Sequence, residues 1–278
     1  MKKTFSEAGL ILVAIPILLW TLFPIWHLFA LSISTQQNML EGRLFPSDPT
    51  IRNYYIVFSQ GHYYLSNFWL QMGNSFFIAF ATGAITLLIS TFAAFSISQL
   101  RASGGRTVMN FALATYLIPA AFLAVPMYKT MGIYGLLNSQ FALILAMVAL
   151  ASPYAIWVLK QASDKLPVEL NEAAIIDGAS VPQIFRMVYL PLMMPSIVAI
   201  GIYSLLLAWN EYLYAFLLLA NESQVPLSVA LGTFLGADDS PWNVLMATGF
   251  VYALPPVAIY YTFRKYMVSG LTAGAVKA

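Results

Sequence analysis

The chain has 278 residues, of which 60% are hydrophobic and only 9% are Asp, Glu, Lys or Arg. A soluble domain carries roughly a quarter of its residues as charges, so this composition cannot surround its apolar mass with a hydrated shell, and lipid must be the solvent. The net charge of +2 comes from scattered basic residues that offer phosphates no block to bind, which sets nucleic acid aside, and zero cysteines exclude disulfides and thiolate chemistry.

A bilayer is crossed by about 20 apolar residues in helical form. Runs at 9–29, 74–97, 108–127, 141–158, 196–219 and 244–263 therefore predict six transmembrane helices in one all-α membrane domain over 1–278. Helices are favoured because lipid offers no partner to an unpaired backbone N–H or C=O. Lys2 and Lys3 ahead of the first run also fit a secretory signal. The run is longer than the roughly 7 to 15 apolar residues of a signal core, however, and no clear small-x-small site follows it, so a span is expected. Neighbouring helices can satisfy the carbonyls that Pro16 and Pro24 free within it.

Residues 35–70 are rich in Tyr, Asn, Gln and Pro and predict a turn-broken loop with aromatics at the headgroup level. Asn74 and Ser75 open the second span and Asn138 precedes the fourth, each as an interfacial hydrogen-bonding group or a ligand contact. Ten of the thirteen Lys and Arg residues fall on the side of the N-terminus, against Arg43, Arg52 and Lys129 on the other. Both termini are accordingly expected in the cytoplasm.

The stretch 169–192, "ELNEAAIIDGASVPQIFRMVYLPL", interrupts the apolar sequence. Pro167 suits a first helical turn, Glu169 complements the positive end of the helix dipole, and Gly178 can take the left-handed cap. A short helix over 167–177 would place Leu170, Ala173, Ala174 and Asp177 on one face, thin enough for a partner to approach closely. Ser180 is a candidate N-cap for a second helix, and Leu190-Pro191 marks the return toward the membrane. Helix chemistry alone would also allow a simple helix-turn-helix that caps the bundle.

In the fifth run, "LLAWNEYLYAF" holds Glu211 about sixteen residues after Pro195, hence in the outer half of the span at roughly 1.5 Å per residue. Either Glu211 snorkels to the interface, or Asn210, Glu211 and Tyr212 form a gate or line a path. Further on, 226–235 is too short to cross and is followed by the tip "GADDSPW", which predicts a short surface or re-entrant helix with a protruding loop.

Spacing separates these readings. Glu172-Ala173-Ala174, then Gly178 after three residues, then Val188 after nine, Tyr189 and Leu190-Pro191, keep every interval of the EAA signature. Only Val188, in place of isoleucine, departs from it. The chain resembles the permease subunits of bacterial ABC importers. The flanks "IIDGAS" and "PLMMP" and the tail "MVSGLTAGAVKA" are similar to the carbohydrate-importing branch, in particular the shorter permease of maltose-type systems.

The resemblance implies a type I ABC importer permease fold with a cytoplasmic coupling helix in the loop 160–191, and half of a sugar pathway across the bacterial plasma membrane. Glu172, Ala173, Ala174 and Gly178, with Asp177 beside them, would dock on an ATP-hydrolysing subunit, and Leu190 and Pro191 would join that element to the fifth span. The implied partners are a second permease subunit, two ATP-binding subunits, an extracytoplasmic solute-binding protein, a sugar and membrane lipid. Asn210, Glu211, Tyr212 and Asn74 would be path or gate candidates. Ala237, Asp238 and Asp239 would reach the binding protein, and the cytoplasmic tail 264–278 would meet the ATPase dimer.

The sequence has no G-x-x-x-x-G-K-[ST] loop and no Gly-Lys pair. No cofactor is expected in this chain, since ATP and Mg would bind the partner ATPase, and the chain itself is not expected to be an enzyme. His27 and His62 stand alone without H-E-x-x-H, which argues against an intramembrane enzyme. An ion-coupled carrier would show more ionisable groups inside its spans and repeated halves. A structural subunit of a membrane complex is the remaining alternative.

Overall fold

The structure is a computed structural model that describes residues 7–236 and 240–272. Among these residues the chain forms helices and turns only, as a backbone solvated by lipid must. Five helices are long and apolar enough to cross a membrane: Gly9–Ser32, Tyr63–Ser98, Gln140–Ser163, Val181–Trp209 and Trp242–Tyr266. A sixth crossing arises if the bent pair Thr107–Tyr116 and Ala120–Ile133, which turns through 104°, is one broken span.

The helices in chain order are α1 (Glu7–Ser32), α2 (Gln36–Leu40), α3 (Arg52–Phe58), α4 (Phe68–Ser98), α5 (Gly105–Tyr116), α6 (Ala120–Ile133), α7 (Gln140–Ser163), α8 (Val168–Ile176), α9 (Val181–Gln183), α10 (Leu190–Trp209), α11 (Leu213–Leu218), α12 (Leu227–Leu235) and α13 (Trp242–Thr272). A π-helical segment, Ile184–Tyr189, joins α9 to α10 without a break.

Several spans depart from the sequence-based boundaries, three of them for identifiable reasons. The second helix starts at Phe68 rather than near residue 74, because Gln71 and Asn74 are buried in the fold and Asn74 finds protein acceptors there. The third, expected as a straight run over 108–127, breaks at residues 117–119; Pro119 disfavours helical geometry at Ile118, and α6 restarts directly after it. The fifth, expected over 196–219, runs from Val181 and ends at Trp209. Pro191 does not interrupt it. The wider π turn just before Pro191 makes room for a ring that would otherwise press on the carbonyl four residues back.

The chain divides into two compact units. The first comprises the chain up to Trp69 together with Ala230–Leu254. Within it α1 exposes its apolar side chains along most of its length, as a helix whose solvent is lipid does. The segment 33–66 is more than a headgroup-level loop. Asn53 is buried and donates from Nδ2 to the carbonyls of Ser32 and Ser34, both at 2.8 Å, while its Oδ1 accepts from Asn243 at 2.8 Å. The rings of His62 and Tyr64 stack on the fully buried Phe234 at 5.4 and 5.1 Å. Tyr55 and Tyr63 remain exposed, as interfacial aromatics would. The short apolar helix foreseen over 226–235 is α12, buried at Leu227, Val229 and Phe234 rather than lying on a surface.

The second unit comprises Leu70–Val229 and Pro255–Ala278. Its centre is α7, whose alanines at 142, 146, 151 and 155 are fully buried. Small side chains let helix backbones approach, the usual basis of packing where lipid removes the hydrophobic drive between helices. The same closeness recurs on α10, where a Cβ added at Gly201 would come within 2.9 Å of Leu87 on α4. Phe95, Ala155, Leu159, Ile184, Tyr189 and Met193 form the core beneath α8.

Candidate functional site

The site is α8 and the chain that flanks it. Pro167 caps its N-terminus in extended geometry, Glu169 lies in the first turn, and Gly178 takes φ +80° immediately after the C-cap Asp177. The N–H of Gly178 bonds to the Ile175 carbonyl (3.0 Å) and that of Ala179 to the Ala174 carbonyl (2.9 Å). This is a Schellman ending, which needs the left-handed conformation that glycine tolerates best. Ser180 then opens the next turn, its N–H and hydroxyl both donating to Gln183 Oε1 at 2.7 Å.

One narrow face of α8 is tied down. Asn171 Nδ2 donates to Gln99 Oε1 near the end of α4, and Gln99 Nε2 donates to both the carbonyl and the hydroxyl of Ser163 at 3.0 Å. Ser98 Oγ donates to Asp164 Oδ1 at 2.8 Å, and Lys160 pairs with the other oxygen of Asp164 at 2.5 Å. Ala174 packs on the core beneath. Beside this clamp is a cavity of about 440 Å³ whose lining includes Gln99, Arg101, Asp164, Val168, Asn171 and Glu172.

The rest of α8 is open and mixes aliphatic with acidic side chains, Val168 and Ile175 on the cavity side and Glu169, Glu172 and Asp177 among the exposed positions. Val168, Leu170 and Ile175 are exposed, and Ile176 retains 84% of its accessible surface. Glu172, Ala173, Asp177 and Gly178 are exposed with them. The expected face of Leu170, Ala173, Ala174 and Asp177 is thus divided: the Asn171 contact rotates Ala174 toward the bundle and leaves the other three outside. Leu190 is half-buried against the core and Pro191 is exposed, both inside the continuous helix.

The other sequence candidates are engaged in holding the chain together. Asn210 ends α10, its Nδ2 donating to the Leu206 carbonyl at 2.9 Å. Glu211 Oε1 accepts the N–H of Tyr214 at 2.7 Å, so the carboxylate serves the first turn of α11, and its carbonyl accepts from Ser228 Oγ at 2.8 Å. Glu211 therefore lies at a helix break rather than within a continuous span. Tyr212 is 42% exposed and stacks on Phe216. Asn74 Nδ2 donates to the carbonyls of Ser223 (2.9 Å) and Val225 (3.0 Å), and Ser75 Oγ accepts the Leu227 N–H at 2.9 Å. Asn138, at φ +61°, accepts from the Ala220 N–H and donates its own N–H to the Leu218 carbonyl. Ala237, Asp238 and Asp239, and the tail from residue 273 onward, lie outside the described residues.

Gln99, Ser163 and Asn171 were not singled out from the sequence. Their one signal was position: amides and a hydroxyl at the ends of apolar runs, next to the EAA stretch.

These features define a class, a polytopic helical membrane protein that presents a short, clamped helix whose exposed surface carries aliphatic side chains beside acids. The family of the binding-protein-dependent transport system inner membrane component matches residues 86–272, and the chain belongs to it. It is thus a transport permease rather than a catalytic enzyme, and a multi-pass membrane protein. It is 34% identical over 282 aligned positions to the sulfoquinovosyl glycerol transport system permease protein SmoH of Agrobacterium fabrum, covering 100% of this chain and 96% of that one. To the trehalose transport system permease protein SugB of Mycobacterium tuberculosis it is 31% identical, covering 93% of each. Its fold matches, with TM-score 0.77 and 25% identity over 95% of this chain and 99% of the other, a chain of a bacterial ABC transporter involved in the import of the acidic polysaccharide alginate.

Proposed function

We propose that this chain is one permease subunit of an ATP-driven importer in a bacterial plasma membrane, forming half of a pathway for a sugar or sugar derivative. The observation that carries this is α8. A nine-residue helix held by Asn171 and Ala174 exposes Val168, Leu170, Ile175 and Ile176 beyond the ends of the spans, where no lipid would cover them. Fully covering an aliphatic side chain is worth about 1.5 to 3 kcal/mol. A protein partner that covers this patch gains accordingly, and the absence of a phosphate-binding loop in the sequence makes an ATP-hydrolysing subunit the fitting partner.

Glu172, Ala173, Asp177 and Gly178 form the rim of the docked surface, with Ala174 serving as the foot that seats α8 on the bundle. ATP and Mg belong to the partner in this account. When two such subunits close, α8 is carried with them. The Asn171–Gln99–Ser163 clamp passes the motion to α4 and α7, and the uninterrupted helix from Val181 to Trp209 passes it along the fifth span. A second permease completes the pathway, and a solute-binding protein delivers the ligand. The distribution of basic residues supports a cytoplasmic side for both termini and for α8 in this reading. The sugar class is supported by the names of the relatives.

The test is Ile175→Asp with Ile176→Asp in the complete transporter. Both side chains are exposed, so the chain should insert as before, while co-purification of the ATPase and ATP-driven uptake are lost. Normal uptake by the double variant would contradict the proposal.

A further inference from the structure

Three tyrosines from three helices of the second unit meet away from α8. Tyr116 ends α5, Tyr154 lies in α7 and Tyr203 in α10. The hydroxyls of Tyr116 and Tyr203 share a hydrogen bond of 3.0 Å. The Tyr154 ring stacks on Tyr116, with centroids 5.7 Å apart and planes at 24°, and its centroid is 4.8 Å from that of Tyr203. Trp157, three residues further along α7, has its ring 6.1 Å from Tyr154. Tyr116 is 51% exposed, and Tyr154, Trp157 and Tyr203 are half-buried. The Tyr154 hydroxyl has no hydrogen-bond partner among the described residues.

Tyrosine is enriched at the headgroup level, and two members of this cluster, Tyr154 and Tyr203, lie inside helices long and apolar enough to cross a membrane. Tyr154 is nine residues from the nearer end of α7, about 14 Å at 1.5 Å per residue. A hydroxyl at that depth is unfavourable against hydrocarbon and is expected to face protein or a water-filled cavity. The backbone here carries the same requirement. Residues 117–119 leave the helix between α5 and α6, at the 104° bend, and Leu117 is 84% exposed. Non-helical backbone within a membrane is tolerated only where protein buries it or a cavity hydrates it. Pro153, without an N–H, also leaves the Ala149 carbonyl lacking its helical donor one turn before Tyr154.

The cluster offers aromatic faces, three neutral hydroxyls and an indole, with no charged side chain among them. Such a surface suits a ligand that has apolar C–H faces and a rim of hydroxyls, which describes a sugar ring and neither an ion nor an acyl chain. We propose that Tyr116, Tyr154 and Tyr203, with Trp157, form a carbohydrate-contact surface on this subunit's side of the pathway. The assignment rests on the sugar-permease reading above and moves the contact from residues 210–212 to the break between α5 and α6. Selectivity at this point comes from stacking and neutral hydrogen bonds, so it ranks ligands by ring shape and hydroxyl placement rather than by charge.

The chain has no cysteine, so a single introduced thiol reports its own surroundings. Tyr116→Cys and Tyr203→Cys would be placed in the complete transporter in liposomes and treated with a charged, hydrophilic methanethiosulfonate. Leu12→Cys on the apolar surface of α1 serves as the lipid-facing reference. Both cluster thiols should react at least about tenfold faster than the reference, as groups hydrated in a pathway do. Trehalose or sulfoquinovosyl glycerol, whichever the complex carries, should slow the reaction. In parallel, Tyr116→Phe and Tyr203→Phe should raise the KM for uptake about fivefold, the loss of one hydroxyl contact, with binding-protein-stimulated ATP hydrolysis unchanged. Reaction rates equal to the Leu12→Cys reference would overturn the proposal. So would an unchanged KM, including one accompanied by loss of the second permease on purification, which would make the cluster a subunit-packing surface. If the ATPase of the unsubstituted complex ignores the binding protein and no sugar is taken up, the permease reading itself fails and the proposal with it.

Discussion

Two short helices of the second unit, α8 and α11, follow stretches that stand out in the sequence for their acids and amides, and they use those residues in opposite ways. At α8 the polar side chain Asn171 turns inward to the clamp, while Val168, Leu170, Ile175 and Ile176 face out. At α11 the polar side chains are consumed in closing helix ends: Asn210 on α10 and Glu211 on the first turn of α11, with Tyr214 Oη donating to the Ala120 carbonyl at 2.7 Å. Acids in an apolar chain draw the eye equally in both places. The structure separates them by how the side chains are used: aliphatic side chains are left exposed at α8, whereas Asn210 and Glu211 are spent on closing helix ends.

Substitutions can break that contrast or sharpen it. The largest effect is expected from Ile175→Asp with Ile176→Asp, where uptake and ATPase co-purification should be lost although both positions are exposed and stability should change by no more than about 0.5 kcal/mol. Asn74→Ala should come next, because it leaves the buried Val225 carbonyl without its donor and removes the part-buried bond to the Ser223 carbonyl, at about 1 to 3 kcal/mol. Thermal unfolding of the purified complex would read that loss. Gly178→Ala forces a Cβ into the left-handed region at φ +80°, with nothing within 4 Å to obstruct it, so the cost is conformational, about 1 to 2 kcal/mol. Gly178→Asn should cost less, and the order of the two in unfolding midpoint checks the cap.

The smallest effect is expected at Glu211→Ala, which removes a carboxylate from the first turn of α11 and should cost about 1 kcal/mol. The KM for uptake should stay as it was. A raised KM with unchanged unfolding would return Glu211 to the pathway and dissolve the contrast with α8.

Much of α8 was legible because its signals are local. Pro167, Glu169 and Gly178 fix the start, the first turn and the end of a nine-residue helix by chain geometry alone. The apolar runs likewise locate the spans, since length and hydropathy are what a bilayer selects. Other features were hidden for physical reasons. Hydropathy passes smoothly over residues 117–119, where the chain turns through 104° between α5 and α6 at Pro119. At Leu190-Pro191 the local rule for proline announces a boundary that the preceding π turn removes. Glu211 reads as a charge inside a span until α11 is seen to begin beside it. The partnership of Gln99 with Asn171 joins residues 72 apart, beyond the reach of any local pattern.

The central claim is that α8 is a seat for another protein. Ile176→Cys, in a chain without other cysteines, allows a short bifunctional crosslinker to be anchored at the most exposed apolar residue of that helix. In the assembled transporter the crosslink should form with the ATP-binding subunit, and assembly should shield the thiol from a soluble maleimide. A thiol that reacts equally fast in the free chain and in the assembly, with no crosslink to the ATPase, would contradict the account.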